Sequence, residues 1–234
     1  MTNEEFLVKI KAAFDKFLTT GSNSNEKLKI LHGSIAEDLQ NRLGNSFTVH
    51  SLGYGDGREI KMNGRYMDKM VDIGIEKNGE IIAAIALKFI MQNYSQNSNN
   101  YFENMLGETA NIRTAGKPYF QIIILPTKVP YYEDGGKIKK IEEIKEHHLS
   151  KYMKLSNDDT NIFYHTPNKT LLYFVDFPEL PSTVTSRTEF KDYYVDNNDF
   201  QVCESTTPYG FGDLFIYNDY EEFIEKIYHA IMAL

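Results

Sequence analysis

The sequence predicts an α/β fold, a central mixed β-sheet flanked by helices, and three observations carry that expectation. Two amphipathic helical repeats open the chain, two strand-like runs meet across Asn78-Gly79, and Tyr119-Phe120-Gln121-Ile122-Ile123-Ile124-Leu125 is almost continuously apolar. Asn-Gly between alternating segments is the mark of a tight antiparallel hairpin. An unbroken apolar run is the mark of a strand covered on both faces by helices.

Taken in order, Phe6, Leu7, Ile10, Phe14, Phe17 and Leu18 recur at helical spacing and predict a helix from about Glu4 to Thr19, broken by the polar stretch 21–25. Leu28, Leu31, Ile35, Leu39 and Leu43 line one face of a second helix that stops at Gly44. Phe47 to Leu52 alternates as a strand, followed by a turn through Gly53, Gly55 and Gly57. Met70–Ile75 and Ile81–Phe89 are the arms of the hairpin. A polar loop, Gln92 to Asn100, leads into a helix with Tyr101, Phe102, Met105, Leu106 and Ile112 inward, closed by Gly116-Lys117-Pro118. Beyond the apolar strand the pattern predicts a charged helix over about Ile138 to Leu155, a strand over Leu171 to Phe177 and a closing helix over Asp219 to Leu234. No internal repeat or linker divides the chain, so a single domain over 1–234 is expected.

The hydrophobic fraction of 41% with 25% charged residues is that of an ordinary globular protein. No apolar run is long enough to cross a bilayer, and Met1-Thr2-Asn3-Glu4-Glu5 lacks the basic and apolar regions of a signal peptide, so a cytoplasmic protein with no membrane partner is expected. The lone Cys203 excludes an internal disulfide and a cysteine-based zinc site, and reads as a buried structural residue. A net charge of −8 disfavours a general nucleic-acid coat but leaves room for an enzyme that grips DNA along one basic stripe.

Asp72 and Lys88 are the informative pair. The hairpin at Asn78-Gly79 puts them on adjacent strands, where both can reach one edge of the sheet. Each stands in an apolar run, where an unpaired charge is costly. A cross-strand ion pair is one reading. The other is a site in which the carboxylate anchors Mg²⁺ and the ammonium stabilises a forming hydroxide or a pentavalent phosphate.

From about Leu31 to Pro126, the order of helix, Asp-bearing strand, hairpin, Lys-ending strand, helix and buried strand resembles the core of the PD-(D/E)XK nucleases, among them the type II restriction endonucleases. The resemblance implies a restriction-endonuclease-like core and Mg²⁺-dependent, sequence-specific hydrolysis of double-stranded DNA. It implies Asp72 as catalytic metal ligand, Lys88 as the motif lysine and Glu37 as the acid that some members carry on the preceding helix. It also implies a homodimer matched to two-fold DNA sites. Two positions depart from the pattern: Val71 stands where the family has proline, and Ala86 where it has an acid. Three readings of Ala86 stay open. The acid has moved to the following helix, with Glu103 the first candidate as catalytic metal ligand and Glu108 the second; or Ala86 is a replacement that traps an uncut complex; or the chain is an inactive relative.

Arg58, Lys61, Arg65 and Lys69 form a basic group just ahead of Asp72, suited to a phosphate backbone. Asn93, Gln96 and Asn97 carry the amides that read adenine edges, near a helix start. Residues 157–212, with Arg187 and Lys191, fall outside the matching stretch and are expected to add base contacts or a dimer surface. His147-His148 lacks a partner at metal-ligand spacing and reads as solvated, its rings pointing apart. Two other functions remain in view: a DNA-binding protein that has lost the chemistry, and a phage-defence nuclease switched on by a small-molecule signal.

Overall fold

The computed structural model describes residues 1–234. The chain begins with α1 (Asn3–Thr20), α2 (Glu26–Leu43), β1 (Thr48–Ser51), β2 (Ile60–Met62), β3 (Lys69–Val71), β4 (Ile73–Lys77) and β5 (Glu80–Phe89). It continues with α3 (Tyr94–Arg113), β6 (Tyr119–Pro126), β7 (Lys128–Tyr132), β8 (Ile138–Glu143) and α4 (Glu146–Leu155). It closes with β9 (Lys169–Asp176), α5 (Arg187–Asp196), β10 (Cys203–Glu204), β11 (Phe215–Tyr217) and α6 (Tyr220–Met232). No helix is long and apolar enough to cross a membrane.

The class is α/β: a seven-stranded mixed sheet in the order β1-β4-β5-β6-β9-β10, with β11 also on β9. The β1–β4 and β4–β5 pairs are antiparallel, and the β5–β6 and β6–β9 pairs are parallel. Asn78 and Gly79 turn the β4–β5 hairpin with φ of 54° and 82°, the left-handed pair that such a turn requires. Alternation divides the core. Ile122 and Ile124 face the side covered by α1, α2, α5 and α6, while Ile123 and Leu125 face the side covered by α3 and α4.

Several expectations are corrected. The charged helix over Ile138–Leu155 is instead a strand, β8, followed by the shorter α4. Ile138, Ile141 and Ile144 recur every three residues and mimic a helix, but the diglycine turn at Gly135-Gly136 and a register shift at Tyr131/Tyr132 make 128–143 a β-hairpin. The polar stretch 94–100 is helix, not loop. Its first turn is capped from afar: the buried Glu142 carboxylate accepts the Ser95 N–H at 3.2 Å and its hydroxyl. Residues 157–212 include β9, which is paired on both sides within the sheet, as well as loops and α5. Cys203 is exposed. The rings of His147 and His148 lie 3.8 Å apart, and His148 Nδ1 accepts the Lys145 N–H at the start of α4.

A close backbone contact holds the segment between β1 and β2. Its glycine turn lies directly on α2: a Cβ on Gly33 would meet the Gly53 carbonyl oxygen at 2.6 Å. Gly33→Ala is therefore expected to lower stability by about 1–3 kcal/mol, or roughly 2–4 °C in Tm per kcal/mol. Gly107 on α3 is solvent-exposed, and a Cβ added there would have nothing within 4 Å. Gly107→Ala should raise stability by about 0.5–1 kcal/mol. Thermal melts of the two variants check both signs.

Candidate metal centre

The site grows from a break in the sheet. β3 does not continue straight into β4: at Asp72 the chain bends, so that Lys69–Val71 pairs with β2 in a separate two-stranded ribbon. The register Ile73 opposite Ile85, carried one step outward, brings Asp72 beside Ala86. Asp72 Oδ2 accepts the Leu87 N–H at 2.7 Å, which satisfies a buried donor that the departing strand leaves behind. The other carboxylate oxygen carries no hydrogen bond within the chain.

Two further side chains meet Asp72 there. His32, from the buried face of α2, and Glu59, the residue before β2, each offer a donor atom, and the three donor atoms lie within 4.8 Å of one another. Ligands on opposite sides of one small divalent cation sit about 4.2 Å apart, so little adjustment would close the set. The fit is supported by a gap in the hydrogen bonding. His32 is fully buried, and neither ring nitrogen has a partner. Burial holds its pKa below the usual imidazole value, helped by the Lys88 ammonium and opposed by Asp72. Glu59 is pushed above the usual carboxylate range by burial, with the nearby negative charge of Asp72 adding to it and Lys69 opposing. A buried neutral imidazole beside two crowded carboxylates is a donor set that a divalent cation completes.

Lys88 is half-buried, and its charge, like that of Asp72, acts on the buried His32. The expected acids lie outside this group. Glu37 is exposed on α2 and lines a surface cleft with Glu5 and Lys9, on a different side of the helix from His32. Glu103 is exposed on α3, where its charge acts on Lys151. Glu108 comes nearer but is engaged, accepting from Lys69 Nζ at 2.7 Å and from the Tyr119 hydroxyl at 3.3 Å. The carboxylate that joins Asp72 is thus Glu59, and α2 supplies His32 instead of Glu37. Ala86 packs with Met62, Val71, Ala84, Ile112 and Tyr119 in an apolar cluster.

Of the basic group, Arg58 and Arg65 are exposed and free of carboxylate partners, whereas Lys61 is paired with Asp68 at 2.8 Å and Lys69 with Glu108. Asn93 is committed to the fold. It sits at φ 51° before α3, its side chain accepts the Tyr132 N–H at 2.7 Å, and its own carbonyl accepts from Asn97 Nδ2 at 3.2 Å. Gln96 remains exposed, beside Tyr131, Lys139 and Lys140 of the β7–β8 hairpin. Sequence reasoning missed His32 and Glu59. The available signal was a histidine among Leu28, Leu31 and Ile35 on the apolar face of α2. Gln121 was a second such signal: it interrupts β6, pairs in register with Ala86, donates to the Ala86 carbonyl at 3.2 Å and has its own buried carbonyl oxygen unpartnered.

His32 tests the centre without reference to activity. His32→Leu removes a buried, unpartnered polar ring at similar volume. With EDTA present it is expected to stabilise the fold by about 1–3 kcal/mol. Wild-type His32 has a depressed folded-state pKa, so its contribution is intact above the unfolded imidazole pKa of about 6.5 and is lost as pH falls through the folded value. The variant should lack this loss. Mn²⁺ should raise the melting temperature of the wild type and not of His32→Leu; equal stabilisation of both would remove His32 from the ligand set. Comparison of the chain with protein-family models, with curated proteins and with solved structures found no match.

Proposed function

We propose that the protein is a divalent-metal-dependent nuclease of the PD-(D/E)XK type, hydrolysing phosphodiester bonds of double-stranded DNA in the manner of a type II restriction endonuclease. The observation that carries this reading is the meeting of His32, Glu59 and Asp72 at a break in the sheet, with the charge of Lys88 acting on His32. A bound cation, Mg²⁺ in this reading, supplies Lewis-acid polarisation of the phosphate and of the attacking water. Asp72 and Glu59 provide the negative charge that holds it, and His32 provides a neutral nitrogen donor fixed by burial. Lys88 donates hydrogen bonds to the phosphate as negative charge builds on its oxygens. Arg58 and Arg65, unpaired, hold the backbone on either side. Gln96, exposed beside Lys139 and Lys140 of the β7–β8 hairpin, is the amide best placed to read a base edge. A homodimer with two such sites would suit two-fold DNA.

A second reading shares the site and differs in control. A cavity of about 670 Å³, lined by Phe14, Met91, Phe177, Phe190 and Tyr194 with Lys128, Asp176 and Glu179 among its polar groups, suits a small-molecule signal that switches the nuclease on. Dependence of cleavage on an added nucleotide would favour it.

Incubating the protein with supercoiled plasmid and a titrated cation tests both. Cleavage should appear with Mg²⁺ and, because the set contains imidazole, at lower concentrations of Mn²⁺. Asp72→Asn and Lys88→Met should each reduce the rate by roughly 10²-fold or more. Ala86→Glu should not increase it, since Glu59 and His32 already complete the donor set. DNA binding with no cleavage under any cation would leave a binding protein that has lost the chemistry, and a gain of activity in Ala86→Glu would make position 86 the missing ligand.

A further inference from the structure

The β2–β3 ribbon rises from the metal centre. Glu59 and Asp72 stand immediately outside its first pair, Ile60 opposite Val71, so two of the three donors mark its base. Its tip, residues 63–68, carries Tyr66 and Met67 at 76% and 67% exposure, and Tyr66 is the most exposed large apolar side chain of the chain. Such exposure has no stabilising role within the fold, and clustered exposed apolar groups mark a binding surface.

The tip is nonetheless held. The Asn111 side-chain oxygen accepts the Tyr66 and Met67 N–H groups at 2.9 and 3.3 Å, and its Nδ2 donates to the Met67 carbonyl at 2.8 Å. The Arg65 N–H donates to the Asn111 carbonyl at 2.8 Å. Gly64 lies so close that a Cβ there would meet Asn111 Nδ2 at 2.1 Å. An exposed ring on an anchored loop is preorganised, and its binding loses little conformational entropy. Of the tip's two charged residues, Asp68 is paired with Lys61 at 2.8 Å, while Arg65 has no carboxylate partner and its guanidinium lies 5.8 Å from the Tyr66 ring centroid. Two exposed side chains at a narrow tip are too few for a protein interface, which takes about 20–30 residues a side. They match the face of one base, with an arginine for the neighbouring phosphate. Tyr66 is six residues from Asp72, so it lies within about 20 Å of the centre, a few nucleotides along a strand.

We propose that Tyr66, flanked by Met67, is a stacking platform for a nucleobase of a single-stranded or locally opened DNA strand. The inference rests on the nuclease reading for its substrate class and adds the base contact to it.

The test reads binding in EDTA, where no hydrolysis occurs, using fluorescent single strands and duplexes that carry 2-aminopurine or an abasic position. Wild type should quench 2-aminopurine and bind the abasic strand more weakly than the intact one. Tyr66→Ala should bind the intact strand roughly 5- to 150-fold more weakly, lose the quench and no longer distinguish the abasic strand; Tyr66→Phe should behave as wild type. Binding indifferent to Tyr66, a missing quench in the wild type, or no binding of any oligonucleotide overturns the platform. Tyr66-dependent binding without metal-dependent cleavage of plasmid would sink the nuclease reading alone. Cleavage with Tyr66-independent binding would sink the platform alone.

Discussion

The hydrogen bond from the Leu87 N–H to the Asp72 carboxylate is where architecture and chemistry meet. A strand that leaves a sheet strands the donors of its neighbour, and Leu87 is buried, so water does not satisfy its N–H. Asp72 replaces the missing carbonyl with a side-chain oxygen. The chain is thereby free to turn out of the sheet into the β2–β3 ribbon, and Asp72 is fixed at the turning point with its second oxygen unused. Glu59 owes its place to the same event, because it stands at the other foot of the ribbon that the bend permits.

The charges at that point are in conflict until something joins them. Burial raises the proton affinity of Glu59 and Asp72 raises it further, while burial keeps His32 neutral with two unpartnered nitrogens. A fold selected for stability alone would place leucine at position 32, as at 28 and 31, and a hydrogen-bonded or apolar residue at position 59. Polar groups left unsatisfied in a buried place are a feature of sites, where a ligand supplies the missing partner.

Much of the fold was legible from periodicity and turn chemistry. The two opening helices, the Asn78-Gly79 hairpin, the β6 run and the closing helix all stand within a few residues of where their patterns put them. Elements whose cause is remote were not legible. The first two turns of α3 are Ser, Gln and Asn after a single buried Tyr94, and Glu142, far along the chain, caps them at Ser95. The three-residue spacing of Ile138, Ile141 and Ile144 imitated a helix because a register shift displaces the strand's alternation. The places of Asp72, just before β4, and Lys88, near the end of β5, were readable because a two-residue turn fixes the hairpin they belong to. The exposed positions of Glu37 and Glu103, outside the group at Asp72, were not readable, because an acid's presence on a helix says nothing about which face meets the sheet edge. His32 was hidden by its setting: within an apolar helix face it reads as core until the approach of Glu59 and Asp72 is known.

Ala86 takes on a different meaning in this arrangement. An acid at that position would stand beside Asp72 on the strand itself and would need no other element to hold it. Here the alanine lies in the apolar cluster that seats Met62 and Val71, from the two strands of the ribbon, against Ile112 of α3. A carboxylate in that cluster would oppose the seating. The groups that stand with Asp72 come instead from outside the main sheet, His32 from α2 and Glu59 from the foot of the docked ribbon. Docking also sets the tip, through Asn111 one residue before Ile112 on the same helix. In the proposed nuclease, a cation at the base and a nucleobase at the tip would act on one docked ribbon, and whatever the first did for the affinity of the second, the second would do equally for the first.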